Sequence, residues 1–405
     1  MTALFAIIYA AFISLGLPDG ILGASWPSIY PSIGAPAAGA GAIAMIVSLC
    51  TIISSFASGW VSTRLTTAQI CIASTGLTII GLAAMGSANS FALLALTAIP
   101  LGLGAGGIDA ALNSFAALHM SAMHMNFLHA FWGVGALIGP LAAGFFISLG
   151  SWRASYFAIA AAQAVLLGLL VVTRGLWRRA EVGSGSEAAS VTADPSVTAT
   201  SPEVTATGPE TGANAVTALE PWWRIKLVWP ALIAFMSYCA LESSFFVWSG
   251  TYFVRQFGLD VALAAAASSA FYIGMTIGRF AAGFATRALS NPALLRLGSA
   301  LLVVGLVVTL ASPSAGFAVF GLGVAGFGCA PIYPAIMKEA PRRFGERNVQ
   351  RLTGIFMGFA YMGSLSMPPI LGLIITAVSP LALPVVVLAS AAVMFGLHEY
   401  IERSL

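Results

Sequence analysis

The segment EVGSGSEAASVTADPSVTATSPEVTATGPETGANAVTALEP, residues 181–221, differs in composition from everything around it. It consists mainly of Ser, Thr, Ala, Gly, Pro and Glu and contains almost no large apolar side chain. Such a segment buries too little surface to offset the entropy of ordering its backbone. We therefore predict a disordered linker over 177–221, which divides the chain into two parts, 1–176 and 222–405.

The two flanking parts are too apolar for a water-soluble protein. Of the 405 residues, 59% are hydrophobic and 8% are charged, whereas soluble domains carry roughly 25% charged residues. Apolar runs of about 20 residues, the length that crosses a bilayer, recur from end to end. The net charge of +3 is scattered along the chain and predicts no nucleic-acid-binding surface. The first apolar run lacks a basic flank, so we expect a spanning helix there rather than a signal peptide.

Turn and polar clusters divide the apolar parts into twelve predicted spans, six on each side of the linker. The predicted fold class is an all-α integral membrane protein with two six-helix repeats. The spans are expected at approximately 4–30, 37–63, 68–88, 90–119, 125–149, 152–175, 225–254, 261–287, 292–311, 314–338, 350–377 and 379–400.

The distribution of basic residues predicts the orientation. Of the 17 Lys and Arg residues, Arg279 lies within a predicted span, fourteen fall on one side of the spans, and only Arg153 and Arg255 fall on the other. Because loops rich in Lys and Arg remain cytoplasmic, both termini and the linker are expected in the cytoplasm.

The two halves repeat each other at an offset of about 220 residues. GLGAGGIDAALN at 102–113 matches GLGVAGFGCAPI at 321–332, and FWGVGALIGP at 131–140 parallels FAYMGSLSMP at 359–368. Internal duplication of this kind builds transporters whose site lies between the repeats near the middle of the membrane. The Gly-rich stretch follows no strand, so a nucleotide-binding loop is not predicted there.

Six helices, a central loop and six more helices, with a short turn after the second, resemble the major facilitator superfamily. The loop signature G-x-x-x-D-R-x-G-R-R of that superfamily is retained only as Gly59, Thr63 and Arg64, with Thr63 in place of the acid. Gly59, Arg64 and Arg279 are accordingly assigned to gating. The motifs LPDGILG, GIDAALN, FLHAFWGVGALIGP and ALESSFFVWSGTY together resemble the fucose-permease-like branch of sugar–proton symporters.

Four charged residues lie well inside the predicted spans: Asp19, Asp109, Glu242 and Arg279. A charge in the middle of a bilayer costs about 2.5–3.5 kcal/mol on insertion scales and by default marks an ion or substrate path. The resemblance implies that helices 1, 4, 7 and 10 line a central cavity, so the three carboxylates would surround one site. It further implies that Asp19 and Asp109 take part in proton coupling and sugar contact. Arg279 would either extend to the membrane interface or pair with a carboxylate.

Asp19 lies between Pro18 and Gly20, which are expected to loosen helix 1 around it. A carboxyl group in a low-dielectric cavity is favoured in its neutral form, so Asp19 can load and release a proton. We therefore predict proton coupling by Asp19, Asp109 and Glu242. The residues do not distinguish H⁺ from Na⁺ as the coupling ion.

Polar and aromatic side chains supply the predicted substrate contacts, since sugars bind to flat apolar faces with polar edges. Trp132 and Tyr272 are further aromatic candidates, and Trp26 and Tyr252 are also compatible with an interfacial belt. The candidate substrate residues are Asn113, Trp248, Trp26, Tyr252 and Tyr361.

The sequence predicts a secondary active transporter rather than an enzyme, because no nucleophile–base pair, metal cluster or phosphate loop is recognisable. The leading hypothesis is proton-coupled symport of a monosaccharide or a similar small polar solute, and the alternative is an efflux antiporter for amphipathic compounds. We expect no resident cofactor or metal, a sugar-like substrate, and a monomer in the inner (plasma) membrane.

Overall fold

The computed structural model describes residues 2–120, 122–192, 221–344 and 346–404, and within them the regular structure is helical. Twelve stretches of this described part are long and apolar enough to cross a membrane. The prediction of an all-α protein with twelve spans is therefore confirmed, and most span boundaries lie within a few residues of the expected ones.

Fourteen α-helices and one 3₁₀ turn are present in the described residues. The first half contains α1 (Thr2–Gly16), α2 (Ile21–Ser32), α3 (Gly39–Val61), α4 (Thr67–Ser87), α5 (Phe91–His119), α6 (Ala122–Ser148) and α7 (Trp152–Thr192). The second half begins with the 3₁₀ turn Trp222–Arg224 and contains α8 (Val228–Phe257), α9 (Val261–Ala285), α10 (Asn291–Leu310), α11 (Ala315–Cys329), α12 (Ile332–Phe344), α13 (Glu346–Ala377) and α14 (Ala382–Ser404).

Two of the spans are each built from two helices. The first span combines α1 and α2, which are separated by a turn at residues 17–20. The tenth combines α11 and α12, which are separated at Ala330–Pro331. Both interruptions contain a proline, which removes an N–H donor from the helix and clashes with the preceding turn.

The linker prediction is revised in its first part. α7 continues past the predicted end of span six to Thr192, so residues 177–192 are helical. Extending an existing helix adds one hydrogen bond for each residue fixed and avoids the cost of nucleation, which composition alone does not reveal. The rest of the predicted linker, 193–220, lies outside the described residues.

In the described part of the chain, the main contacts between the two halves are those of α2 with α8 and α9, of α3 with α13 and α8, and of α6 with α9. The approach of α2 to α8 is close enough to require glycine, because a side chain at Gly23 would collide with the carbonyl oxygens of Phe246 and Val247. α1, by contrast, packs against α5, α6 and α7 of its own half. We call the membrane side where α1 begins and α14 ends the terminal side. Among the described residues, the main contacts of the first span with the second half are therefore made by α2, with α8 and α9.

Candidate functional site

The break between α1 and α2 places Asp19 outside regular helix. Its amide donates to the Gly16 carbonyl at 3.1 Å, three residues back rather than four, and the Ile21 amide likewise bonds to Pro18 at 3.4 Å. Although Asp19 lies midway along a spanning stretch, its side chain is exposed. The predicted loosening of helix 1 is thus present as a complete interruption, and it delivers the carboxylate to an accessible space between the halves.

Trp132 of α6 is the direct partner of Asp19. Its indole N–H donates to Asp19 Oδ2 at 2.8 Å. The second half also lies close to the Trp132 ring, because the ring centroid of Phe246 on α8 is 6.3 Å from that of Trp132. A hydrogen bond from a neutral N–H stabilises a carboxylate without neutralising it, so Asp19 keeps the capacity to gain a proton.

Arg279 of α9 pairs with a carboxylate, which was one of its two predicted roles. A terminal nitrogen of its guanidinium lies 3.9 Å from Glu242 Oε1, and another donates to the His129 carbonyl at 3.2 Å. The guanidinium also lies 4.9 Å above the Trp132 ring. Tyr238, one turn before Glu242, donates its hydroxyl to the same carboxylate oxygen at 3.2 Å.

These contacts form a continuous chain from one half to the other, running Asp19, Trp132, Arg279, Glu242. The first two members belong to the first half and the last two belong to the second. Relative movement of the halves would therefore act first on the Trp132–Arg279 contact, which links the two carboxylates.

Asp109 occupies a second position in the first half, on α5. The Asn113 amide donates to Asp109 Oδ1 at 2.9 Å and to its backbone carbonyl at 3.0 Å, so the two side chains share a helix face, as residues four apart do. Asp109 and Glu242 both interact electrostatically with Asp19. The positive charge of Arg279 compensates the negative charge of Glu242, whereas Asp19 and Asp109 accept hydrogen bonds from the neutral side chains of Trp132 and Asn113.

Tyr361 of α13 faces the first half across the α3–α13 interface. Its hydroxyl lies near the side chain of Ser55 and close enough to Asp109 for an electrostatic interaction. This placement agrees with a role at the central site, and Tyr361 remains a candidate substrate contact.

Three other aromatic candidates are placed away from any accessible site, which revises the prediction for them. Trp248, Trp26 and Tyr252 are each at most 2% exposed. Their polar atoms already donate to backbone carbonyls, Trp248 to Pro368 at 2.8 Å, Trp26 at 2.7 Å and Tyr252 at 3.2 Å. In this structure they pack helices together and present no surface to a solute.

The candidate gating residues on the terminal side have separate surroundings. The Arg64 guanidinium lies 4.0 Å above the Trp60 ring at an exposed turn after α3. Gly59 lies in the last turn of α3. Only Arg279 of the three assigned gating residues belongs to the chain of contacts at the centre.

Sequence reasoning missed Tyr238 as a partner of Glu242 and named Trp132 only as a possible sugar contact. The four-residue spacing of Tyr238 and Glu242 was available as a signal, since such residues share a helix face. Nothing in the sequence pairs Trp132 with Asp19, because their contact joins helices 113 residues apart. In the described part of the chain, no cluster of His, Cys, Asp and Glu side chains has the arrangement of a metal site.

Comparison with known proteins identifies the fold. The family model described as Major Facilitator Superfamily matches residues 8–314 and 231–401. The chain belongs to this superfamily. It is thus a multi-pass membrane transporter of small molecules and not an enzyme. No curated protein sequence matches the chain significantly.

Solved transporters of the superfamily share the whole architecture at low sequence identity. A D-xylose–proton symporter aligns over 97% of this chain and 97% of its own, with a TM-score of 0.73 and 10% identity. A peptide transporter aligns over 99% of this chain and 94% of its own, with a TM-score of 0.75 and 15% identity. The nucleoside transporter NupG aligns over 99% of this chain and 97% of its own, with a TM-score of 0.70 and 11% identity.

Proposed function

We propose that this superfamily member couples proton movement to the uptake of a monosaccharide or a similar small polar solute. The observation that carries the proposal is the Asp19 carboxylate, exposed at a break in the first span and hydrogen-bonded to Trp132 of the same half. It is the kind of group that gains and loses a proton without losing its place in the fold.

The proposed cycle uses the cost of burying a charge. While Asp19 is ionised, closing the halves over it would transfer a carboxylate from a water-accessible space into low dielectric, which is strongly unfavourable without a cationic partner. Protonation removes that cost. The proton and the solute then cross together as access alternates between the two sides of the membrane.

The proposed solute site lies between Asp109 with Asn113 in the first half and Tyr361 in the second. The Asn113 N–H₂ group is engaged by Asp109, so its carbonyl oxygen is the part that would accept a hydrogen bond from a sugar hydroxyl. Asp109 and the Tyr361 hydroxyl add further hydrogen-bonding groups, and neutral polyols need several of them.

The likeness to a D-xylose–proton symporter and to nucleoside and peptide transporters supports the transporter fold but does not select among these solutes. We further propose that the protein works as a monomer in the plasma membrane. The excess of basic residues on the terminal side supports a cytoplasmic location for both termini.

Transport in proteoliposomes tests the proposal. With an imposed pH gradient, acid outside, we expect accumulation of a radiolabelled sugar and collapse of that accumulation by a protonophore. A sodium gradient at uniform pH should not drive it. Extrusion of amphipathic dyes, without sugar accumulation, would instead favour the efflux antiporter and contradict the proposed symport.

A further inference from the structure

A buried polar side chain on α7 forms a hydrogen bond with the backbone next to the helix break that carries Asp19. In a regular helix the Ser14 carbonyl would accept a hydrogen bond from residue 18, but Pro18 has no N–H. Gln163 supplies the missing donor, since its Nε2 lies 3.0 Å from the Ser14 carbonyl oxygen. Gln163 is only 2% exposed, so water on the protein surface does not perform this function.

The orientation of the Gln163 amide is fixed by a second contact. Its Oε1 accepts a hydrogen bond from the Thr78 hydroxyl of α4 at 2.7 Å. Because the Ser14 carbonyl can only accept, the amide nitrogen must face α1 and the amide oxygen must face α4. Gln163 therefore connects α4 and α7 to Ser14 near the end of α1, three residues before the turn at residues 17–20 that carries Asp19.

A small space, lined mainly by apolar atoms but reached by a few polar groups, adjoins this connection. It has a volume of about 10 Å³ and is lined by Ser14, Pro18, Thr75 and Gln163 together with apolar atoms of α5. Thr75 is 1% exposed, and its hydroxyl has no hydrogen-bond partner among the described residues. A space of this size holds about one water molecule. Leu15 also lines it, and the Leu15 carbonyl has lost its regular helical partner, because the Asp19 amide bonds to Gly16.

We propose that Gln163 and one water molecule bound beside Thr75 replace the backbone hydrogen bonds lost at Pro18, and so hold the break that positions Asp19. Gln163 is thus a positioning residue that does not touch the solute. Its effect on transport rests on the proposed coupling role of Asp19, whereas its effect on the helix break does not.

Hydrogen–deuterium exchange of the full-length protein in nanodiscs tests the structural part. In Gln163→Leu, which keeps the volume and removes the polar atoms, amides of residues 13–24 should exchange at least about tenfold faster, the effect of losing roughly 1.4 kcal/mol. Gln163→Glu should restore slow exchange, because the acid form can donate to Ser14 and accept from Thr78. Ser155→Ala, which removes another buried hydroxyl from α7, is the control and should leave residues 13–24 unchanged.

Thr75→Val tests the bound water. If the hydroxyl bonds to water, removing it lowers the midpoint of thermal unfolding and speeds exchange at residues 13–24. If the hydroxyl is a buried group without any partner, valine raises the midpoint or leaves it unchanged, and the bound water is rejected.

Transport separates failure of this inference from failure of the proposed function. We expect Gln163→Leu to retain solute exchange and to lose most proton-driven accumulation, with recovery in Gln163→Glu. Unchanged exchange of residues 13–24 in Gln163→Leu would overturn the inference, whatever transport shows. Faster exchange at these residues, with normal accumulation in both Gln163→Leu and Asp19→Asn, would support the positioning role and overturn the coupling role of Asp19.

Discussion

At the scale of single residues, the site consists of carboxylates that differ in their partners. In the part of the chain that the structure describes, Glu242 has a cation, Arg279, at 3.9 Å, whereas Asp19 accepts from the Trp132 N–H and Asp109 from the Asn113 amide. An unpaired carboxylate gains more from protonation than one that is neutralised by arginine. The partners therefore rank Asp19 and Asp109 above Glu242 as proton carriers.

Asp19→Asn is expected to separate exchange from accumulation. Asparagine mimics the protonated acid, so the variant should bind solute and exchange it in counterflow at a rate near that of the parent. Accumulation driven by a pH gradient should fall by at least about tenfold, because no proton is carried. Both are measured by uptake of labelled sugar in proteoliposomes.

Asp260→Asn is the matched control for that substitution. Asp260 caps the exposed N-terminus of α9 by accepting from the Ala262 amide at 2.8 Å, and asparagine caps equally well. Its accumulation should equal that of the parent. Should Asp19→Asn also concentrate sugar as well as the parent does, Asp19 is not the coupling residue.

The Arg279–Glu242 pair is expected to behave as a unit. The two side chains are 18% and 17% exposed, and removing one partner of a largely buried pair costs about 3–5 kcal/mol, mostly from the charge left behind. Arg279→Gln should therefore lower Tm clearly, and adding Glu242→Gln should recover at least half of that loss. Thermal unfolding of the parent, the two single variants and the double variant in one detergent measures the coupling between the two side chains. Losses of Tm that simply add in the double variant would contradict this coupling.

At the scale of helices, interruptions and buried aromatic side chains decide which residues reach the site. The first span is divided by Pro18, so Asp19 emerges from a turn, while Trp248 lies inside the continuous helix α8 and is buried against α13. Of these two candidate site residues, Asp19 is thus exposed, whereas Trp248 is buried.

Trp248→Ala is expected to affect stability rather than solute recognition. The indole is 0% exposed and donates to the Pro368 carbonyl at 2.8 Å, and truncation of a buried tryptophan costs about 3–5 kcal/mol. Tm should fall by several degrees, while the KM of the remaining folded protein should change less than about threefold. Trp60→Ala, at a site that is 60% exposed, is the control for loss of an indole. A raised KM without a change in Tm would restore Trp248 as a solute contact.

Asn113→Ala is expected to act on solute affinity. Loss of the carbonyl acceptor should raise KM by about tenfold, the effect of one hydrogen bond to a neutral partner, while accumulation at saturating sugar persists. Uptake measured over a range of sugar concentrations gives both quantities. A normal KM together with a loss of accumulation would show that Asn113 takes part in proton coupling rather than in solute binding.

At the scale of the whole molecule, the interface between the halves differs with depth in the membrane. The α2–α8 contact lies away from the terminal side, whereas α6 and α9 also meet toward the terminal side, where the ring centroids of Phe127 and Phe280 lie 6.4 Å apart. In the proposed transport cycle, the α2–α8 contact opens when access changes from one side of the membrane to the other. Under that proposal, the close approach at Gly23 is part of the moving interface.

Gly23→Leu is expected to block closure at α2–α8. Forcing a side chain into this contact costs typically about 1–3 kcal/mol, which shifts the conformational equilibrium by roughly 5- to 150-fold. Accumulation should fall strongly, and amides of 21–32 should exchange faster with deuterium. Gly76→Leu is the control, because a side chain there meets no neighbouring atom within 4 Å. Normal transport by Gly23→Leu would show that this contact does not close during the cycle.

The sequence determined the class of fold, because hydropathy and length alone specify where a chain crosses a bilayer. Twelve spans, the six-plus-six division and the mid-membrane position of the four charged residues all follow from local composition. The break around Asp19 was also predictable, since proline acts on its own helix. The i and i+4 pairing of Asp109 with Asn113 follows from the same local geometry.

Only the tertiary structure decided which of these residues meet. The contacts of Asp19 with Trp132, of Arg279 with Glu242 and of Gln163 with Ser14 join helices that are far apart in the chain. Apolar helices of similar composition pack in many ways that hydropathy does not distinguish. The partner of each polar group is therefore fixed by the rotation and depth of whole helices, which depend on close packing along their full length.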